Sequence, residues 1–412
     1  MMYLPRHAEK TVKKISTMFG AVLVSGPRQV GKSTMIEQVL SELPTIVRRV
    51  TFDDQLLLLS ALEQPDTFLK DHPPPLFIDE VQRAPKLFYH IKQILDKDKK
   101  KGQFYLSGSQ QFDLMEGVSE SLSGRIGLIN LLPLSLREQA KIAYDAPFIP
   151  NNRYFEERGH VAKPVDYGLL WKTIQRGSLP EMVVEEDFDW QLYYGSYVAT
   201  YIDRDVKKLA QVADEMKFTR FMTVVASYNG QLLNVASLAR DIGVSQPTAE
   251  RWLSILVSSN IIYLLEPYHN NLISRAIKTP KLYFLDTGLA AYLTRWTSPE
   301  ALREGAMGGA FFESFVISEI LKSYYNAGVM KPPLYFYRDK EGIEIDLLIE
   351  DSGTIHPLEI KKHADPSKKD IAAFTILDSI PTIKRGPGGV ICTYDSLVTL
   401  VGEDRVIPVS YL

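Results

Sequence analysis

The residues Gly26-Pro27-Arg28-Gln29-Val30-Gly31-Lys32-Ser33 fit the pattern G-x-x-x-x-G-K-[ST] without a mismatch. This spacing serves one chemistry. The two glycines let the backbone curl until successive N–H groups face a single anion. A helix that begins as the loop ends, with Thr34 in its first turn, turns its positive terminus toward the same anion. Lys32 can then reach the β and γ phosphates of a nucleotide, and Ser33 can ligate Mg2+. An apolar run, Ala21–Ser25, precedes the loop and supplies the strand the motif requires.

Leu76-Phe77-Ile78-Asp79-Glu80 supplies the other half of such a site. Asp79, at the end of an apolar strand, would hold Mg2+ through water, and Glu80 would act as general base toward the attacking water. Standing alone, the pair would read as a helix N-cap followed by a surface glutamate. Ser107 and Ser109 follow a further apolar run, Phe104–Leu106. Either could orient water or phosphate there, and both could be plain turn residues. Arg125, in Ser123-Gly124-Arg125, is a candidate finger on a γ phosphate, in its own chain or a neighbour's. Arg204, between Asp203 and Asp205, is a second candidate, with a local ion pair as the plainer reading. The expected nucleotide-binding set is Gly26, Pro27, Arg28, Gln29, Val30, Gly31, Lys32, Ser33, Thr34 and Ser109. Lys32, Glu80 and Arg125 are the expected catalytic residues, and Ser33 with Asp79 the metal ligands.

Two further constellations lie downstream. Val235–Ile242 is amphipathic, Gly243-Val244-Ser245 reads as a turn, and Gln246–Ser258 turns Ala249, Trp252, Leu253, Leu256 and Val257 inward. Leu232–Tyr268 thus reads as two helices, a turn, a third helix and the strand Ile261–Leu265, as in a winged helix. Ser245 can cap the last helix, with Pro247 in its first turn. Ser245, Gln246, Thr248 and Arg251 would face a DNA groove, although one arginine with a few hydroxyls is a thin phosphate-contact set. In the tail, Glu313 opens an apolar helix and Asp346 lies on the alternating strand Ile343–Ile349. Glu359 and Lys361, two apart on the next strand, share one face. Three acids could converge on a divalent cation with Lys361 beside a water. This looks like the PD-(D/E)xK nuclease core, with Ile345 where the pattern has proline. The competing reading is a set of exposed ion pairs on a module that cuts nothing.

Strands must position the first set. Ala21–Ser25, Val47–Phe52, Leu76–Ile78, Phe104–Leu106 and Ile126–Leu132 alternate with helical patterns, and each ends in residues suited to a ligand-binding edge. Such alternation predicts an α/β fold with a parallel sheet and helices on both faces. Ligands of such sheets sit beyond the carboxyl ends of the strands. Composition is that of a globular chain: 412 residues, 45% hydrophobic, 24% charged. With 47 basic and 50 acidic residues, net charge −3, a chain-wide polycation is excluded. A single cysteine, Cys392, allows no internal disulfide and no cysteine zinc cage, and fits a reducing cytoplasm. The seven histidines show no zinc-binding spacing. No apolar run reaches the roughly 18 residues of a membrane helix, and the basic, polar opening MMYLPRHAEKTVKK is not expected to be a secretory signal. Asp96–Lys101 reads as a solvated loop, with a basic cluster that could touch phosphate as the alternative.

Taken in order, GPRQVGKST, LFIDEVQ, YLSGSQ, SLSGRIGLINLLPLSLRE and YIDRDV resemble the prokaryotic AAA-type ATPases that carry a C-terminal domain of unknown function. The resemblance spans nearly the whole chain. It implies an ATP-binding P-loop core, then a winged helix, then a nuclease-like α/β tail. The expected domains are an ATPase domain over 1–150, a helical lid or linker over 151–230, a winged helix over 231–296 and the tail over 297–412. The expected function is Mg2+-dependent ATP binding and hydrolysis, with the nucleotide state controlling a C-terminal module that binds DNA or cuts it. ATP and ADP, DNA and further copies of the chain are the expected partners, with no membrane. The alternative is a slow ATP switch carrying an inactive, protein-binding scaffold.

Overall fold

The computed structural model describes residues 3–109, 121–201, 215–268, 278–380 and 382–412. The chain folds as two compact units: Met1–Leu134 with Ser258–Asn260 and Tyr324–Met330, and Ser135–Val257 with Ile261–Ser323 and Lys331–Leu412.

The first unit is built on five parallel strands: β1 (Ala21–Ser25), β2 (Arg48–Thr51), β3 (Leu76–Asp79), β4 (Phe104–Gly108) and β5 (Ile126–Asn130). Their order across the sheet is β2-β3-β4-β1-β5. The second and fifth strands are shorter than the stretches Val47–Phe52 and Ile126–Leu132 read from the sequence. Every residue of β1 and β4 is buried, as expected of central strands covered on both faces. Leu23, Ile78, Phe104 and Leu106 join Phe52, Phe68 and Phe88 in one core. The helix Lys32–Ser41 follows β1 directly. Ahead of β1, buried Arg6 donates to the carbonyls of Val30 (2.8 Å) and Leu132 (2.7 Å). It thereby ties the loop after β1 to the chain leaving β5.

In the second unit, the helices Val235–Ile242 and Gln246–Ser258 are joined through Gly243, whose φ of 75° lets the first helix stop and the chain reverse. The Ser245 hydroxyl accepts from the Thr248 N–H at 3.3 Å, the expected cap. Only two helices occupy Leu232–Tyr268. The helix that completes the group, Glu215–Ser227, precedes that stretch. Its Phe218 and Phe221 meet Trp252 edge-on, at ring centroids of 5.2 Å each. Ala249, Trp252, Leu253 and Leu256 are buried as read, whereas Val257 is half-buried and Ile255 takes an inward place. Strand β6 (Gln231–Leu232) and β7 (Ile262–Leu265) flank β8 (Lys281–Phe284), all antiparallel. Sequence patterning did not anticipate β8.

The tail begins with the helix Gly308–Asn326. Seven strands follow: β9 (Leu334–Arg338), β10 (Glu344–Asp351), β11 (Thr354–Ile360), β12 (Lys384–Arg385), β13 (Gly389–Cys392), β14 (Val398–Val401) and β15 (Asp404–Pro408). They form a mixed sheet ordered β14-β15-β13-β11-β10-β9, with β12 on β11. β10 and β11 form a tight hairpin turned by Ser352 and Gly353, both at positive φ. Among the described residues no helix is long and apolar enough to cross a membrane.

The Trp252 cluster is the clearest packing element of the helix–turn–helix segment, with the indole 4% exposed. Trp252→Ala is expected to destabilise the second unit by about 3–5 kcal/mol. Urea unfolding followed by far-ultraviolet circular dichroism checks this; a loss below about 1 kcal/mol would show that the indole is not a core element.

Candidate functional site

The loop between β1 and the following helix has the backbone of an anion cradle. Gly26 sits at φ 146°, Gln29 at 60° and Gly31 at 83°. A Cβ at Gly26 would lie 2.1 Å from the Leu131 carbonyl oxygen, so only glycine lets the loop pass this close to the chain leaving β5. Pro27 and Val30 are buried, Arg28 is half-buried, and Gln29 and Thr34 are exposed. Lys32 heads the helix with its side chain folded back over the loop. Its Nζ donates to the carbonyls of Gly26 (3.0 Å) and Pro27 (2.6 Å).

The acid strand arrives beside it. Ser33 Oγ donates to Asp79 Oδ1 at 2.8 Å. Ser107 Oγ donates to the same oxygen. Strand β4 lies between β1 and β3, so its end falls between the loop and the acid pair. The two serines therefore separate in role: Ser107 meets Asp79, while buried Ser109 has its Oγ 3.5 Å from Gln82 Nε2. Glu80 sits in the left-handed region, φ 55° and ψ 41°, where the strand ends and the turn Val81–Arg83 begins. Such a conformation costs a non-glycine residue about 1–3 kcal/mol and gathers at functional sites. Gln82, which the sequence reading passed over, donates from Nε2 to the Glu80 carboxylate. Its Oε1 is buried with no hydrogen-bond partner among the described residues. The signal was there to find, since a side chain two residues beyond the acid returns to it through a one-turn reversal.

Arg125 stands apart from this group. It immediately precedes β5, and its carbonyl accepts from Ala21 N–H at the start of β1. That is the amino-terminal edge of the parallel sheet, opposite the edge where Lys32 and Asp79 meet. Its guanidinium pairs with Asp96 at 2.5 Å. Arg125 therefore cannot serve as a finger in the site of its own chain. Arg204 lies outside the described residues.

A second charged cluster forms within the other unit. Lys361 Nζ lies 2.9 Å from Glu359 Oε2 and 3.7 Å from Asp346 Oδ2. The sequence-derived quartet of Glu313, Asp346, Glu359 and Lys361 is brought together, but with uninvited members. Lys281 Nζ, from β8, lies 3.0 Å from Glu313 Oε1 and 3.9 Å from Asp346 Oδ1, and it pairs with Glu344. Tyr283 donates its hydroxyl to Glu313 Oε1 at 2.5 Å. Arg338 Nη1 sits 2.7 Å from Glu344 Oε2. Burial, then the neighbouring Asp346, push the Glu359 carboxyl well above the usual range. Burial also raises Glu313, against the pull of Lys281. For Lys281 burial works the other way, yet Glu313, Asp346 and Glu344 outweigh it and hold the ammonium charged. Glu344 and Asp346 are two apart on β10, a same-face signal legible in the sequence; Lys281 carried no such signal.

Ser245, Gln246 and Arg251 are exposed, and Thr248 is half-buried, along the start of the helix Gln246–Ser258. Gln246 donates to Glu250 at 2.9 Å, and Ser245 and Thr248 hydroxyls lie 2.8 Å apart.

A model of the AAA domain matches residues 19–140. Models described as domains of unknown function match residues 168–300 (DUF8612) and 308–412 (DUF4143). The uncharacterized protein Rv2008c of Mycobacterium tuberculosis is 30% identical over 369 residues, spanning 89% of this chain and 76% of the relative. The uncharacterized protein Mb2031c of Mycobacterium bovis aligns with the same figures. Among solved structures, the Walker-type ATPase PABY2304 of Pyrococcus abyssi superposes with a TM-score of 0.45 at 15% identity, over 69% of this chain and 94% of that one. The chain thus belongs to the family these mycobacterial proteins represent, and carries a P-loop AAA ATPase domain ahead of two domains of unknown function.

Proposed function

We propose that the protein is a Mg2+-dependent ATP hydrolase whose nucleotide state is read by its C-terminal half. The observation that carries this reading is the meeting of Ser33, Asp79 and Ser107 on one carboxylate oxygen beside the curled loop. Ser33 and Asp79 offer hard oxygen donors side by side, the donor set a magnesium ion takes. Bound there, the ion would offset charge on the β and γ phosphates.

The chain's own residues then have distinct tasks. Loop N–H groups from Arg28 to Lys32 cradle the phosphates. Lys32 exchanges the Gly26 and Pro27 carbonyls for phosphate oxygens. Ser107 keeps Asp79 oriented. Glu80 accepts a proton from water as the water oxygen bonds to the γ phosphorus. The bond from that phosphorus to the β–γ bridging oxygen breaks, leaving ADP and inorganic phosphate. Gln82 orients Glu80 through its amide nitrogen. Loss of the γ phosphate releases the contacts that held the loop, a change of the kind that reorders switch segments.

Nucleic acid is the second reading for the C-terminal half. It rests on the exposed start of the helix Gln246–Ser258, where Ser245, Gln246 and Arg251 face solvent. Glu250 on the same stretch opposes it.

Two measurements bear on these readings. Glu80→Gln is expected to lower ATP turnover by about 10²-fold or more while leaving nucleotide affinity within a few-fold; turnover near that of the wild type would show that Glu80 is not the base. ATP turnover measured with and without double-stranded DNA at two salt concentrations tests the second reading. Stimulation that fades with salt is expected if DNA is the partner, and turnover indifferent to DNA at both salts would remove DNA from the account.

A further inference from the structure

The tail's acids Glu313, Asp346 and Glu359 come together as the sequence reading expected, but a protein cation already stands among them. Lys281 Nζ has Glu313 at 3.0 Å, Asp346 at 3.9 Å and Glu344 in contact, and the Phe336 ring centroid at 5.5 Å. Its side chain is 4% exposed, less than any of the three carboxylates it faces. Lys361 and Arg338 answer the remaining charge at Glu359, Asp346 and Glu344.

The ammonium is also fixed from behind. β8, which carries Lys281, pairs along its whole length with β7. The chain leaving β7 pairs in turn with β9. Tyr268 N–H donates to the Phe336 carbonyl at 2.7 Å, and Phe336 N–H donates to the Glu266 carbonyl at 3.1 Å. Backbone hydrogen bonds therefore run from the strand of Lys281 to the sheet that bears Asp346 and Glu359. A divalent ion needs oxygen ligands at about 2.0–2.6 Å, and this volume and this charge are already taken. Among the described residues, no group of three or more His, Cys, Asp or Glu side chains is arranged to hold a metal.

We propose that Lys281 is the resident cation of the tail's acidic cluster, and that it closes the cluster to divalent metal. The tail as folded is then a salt-bridged scaffold and not a metal-dependent nuclease. The proposal does not depend on the ATPase reading, because it concerns the other unit and is tested without nucleotide.

Mn2+ is titrated into the full-length, nucleotide-free protein, and free Mn2+ is followed by electron paramagnetic resonance. Wild type and Asp346→Asn are expected to give superimposable isotherms. Lys281→Met, which keeps most of the unbranched side chain and removes its charge, is expected to gain one site at least tenfold tighter, lost again when Asp346→Asn is added. A stoichiometric Mn2+ site in the wild type that Asp346→Asn abolishes would overturn the proposal. So would a folded Lys281→Met protein, verified by circular dichroism, that gains no site. If Lys281→Met does not fold, the wild type and Asp346→Asn pair decides the question by itself.

Discussion

One carboxylate oxygen organises the nucleotide-binding unit. Asp79 Oδ1 accepts from Ser33, on the helix after β1, and from Ser107, on β4. Three segments far apart in the chain are thereby fixed at one edge of one sheet. Geometry alone would leave them separated. Neighbouring strands lie ~4.8 Å apart, so β1 and β3, with β4 between them, end ~10 Å from each other. The gap is closed because the loop carries the helix start back over the end of β4. On its other side the loop passes at Gly26 against the Leu131 carbonyl, and buried Arg6 ties it to the chain leaving β5.

The two lysine-centred clusters of the molecule follow opposite logic. Lys32 donates to neutral carbonyls, which phosphate oxygens can replace. Lys281 lies beside three carboxylates and an aromatic ring, and no neutral ligand offers the charge it supplies to them. Breaking a buried pair of this kind typically costs about 3–5 kcal/mol, because the partners left behind are buried and uncompensated. The first arrangement suits a ligand that comes and goes, and the second a joint that stays closed.

What the sequence revealed divides along the same line. The phosphate loop and the acid strand were legible because each is a run of consecutive residues whose meaning is set by local backbone. The central strands of the parallel sheet were legible because Ala21–Val24, Leu76–Ile78 and Phe104–Leu106 are short apolar runs, whereas β2, with Arg48 and Arg49 exposed, is not one. Ser107 could not be told from Ser109 until β4 was seen to extend to Gly108, which places Ser107 against Asp79. Arg125 was recognisable by type, and its place just before a strand of a parallel sheet already put it at the edge away from the ligand; the register of β5 on β1 shows it there. Lys281 was invisible for a different reason. Its partners stand 32 to 65 residues away on other elements, and the strand that carries it has no motif.

The central claim is that the loop from Gly26 to Ser33 holds a nucleotide with its magnesium ion. Isothermal titration calorimetry of the purified chain with ATP and with ADP in magnesium buffer tests it most directly. The account predicts saturable binding near one site per chain, lost in Lys32→Ala while the fold is retained. No heat with either nucleotide, or binding that survives Lys32→Ala unchanged, would contradict it.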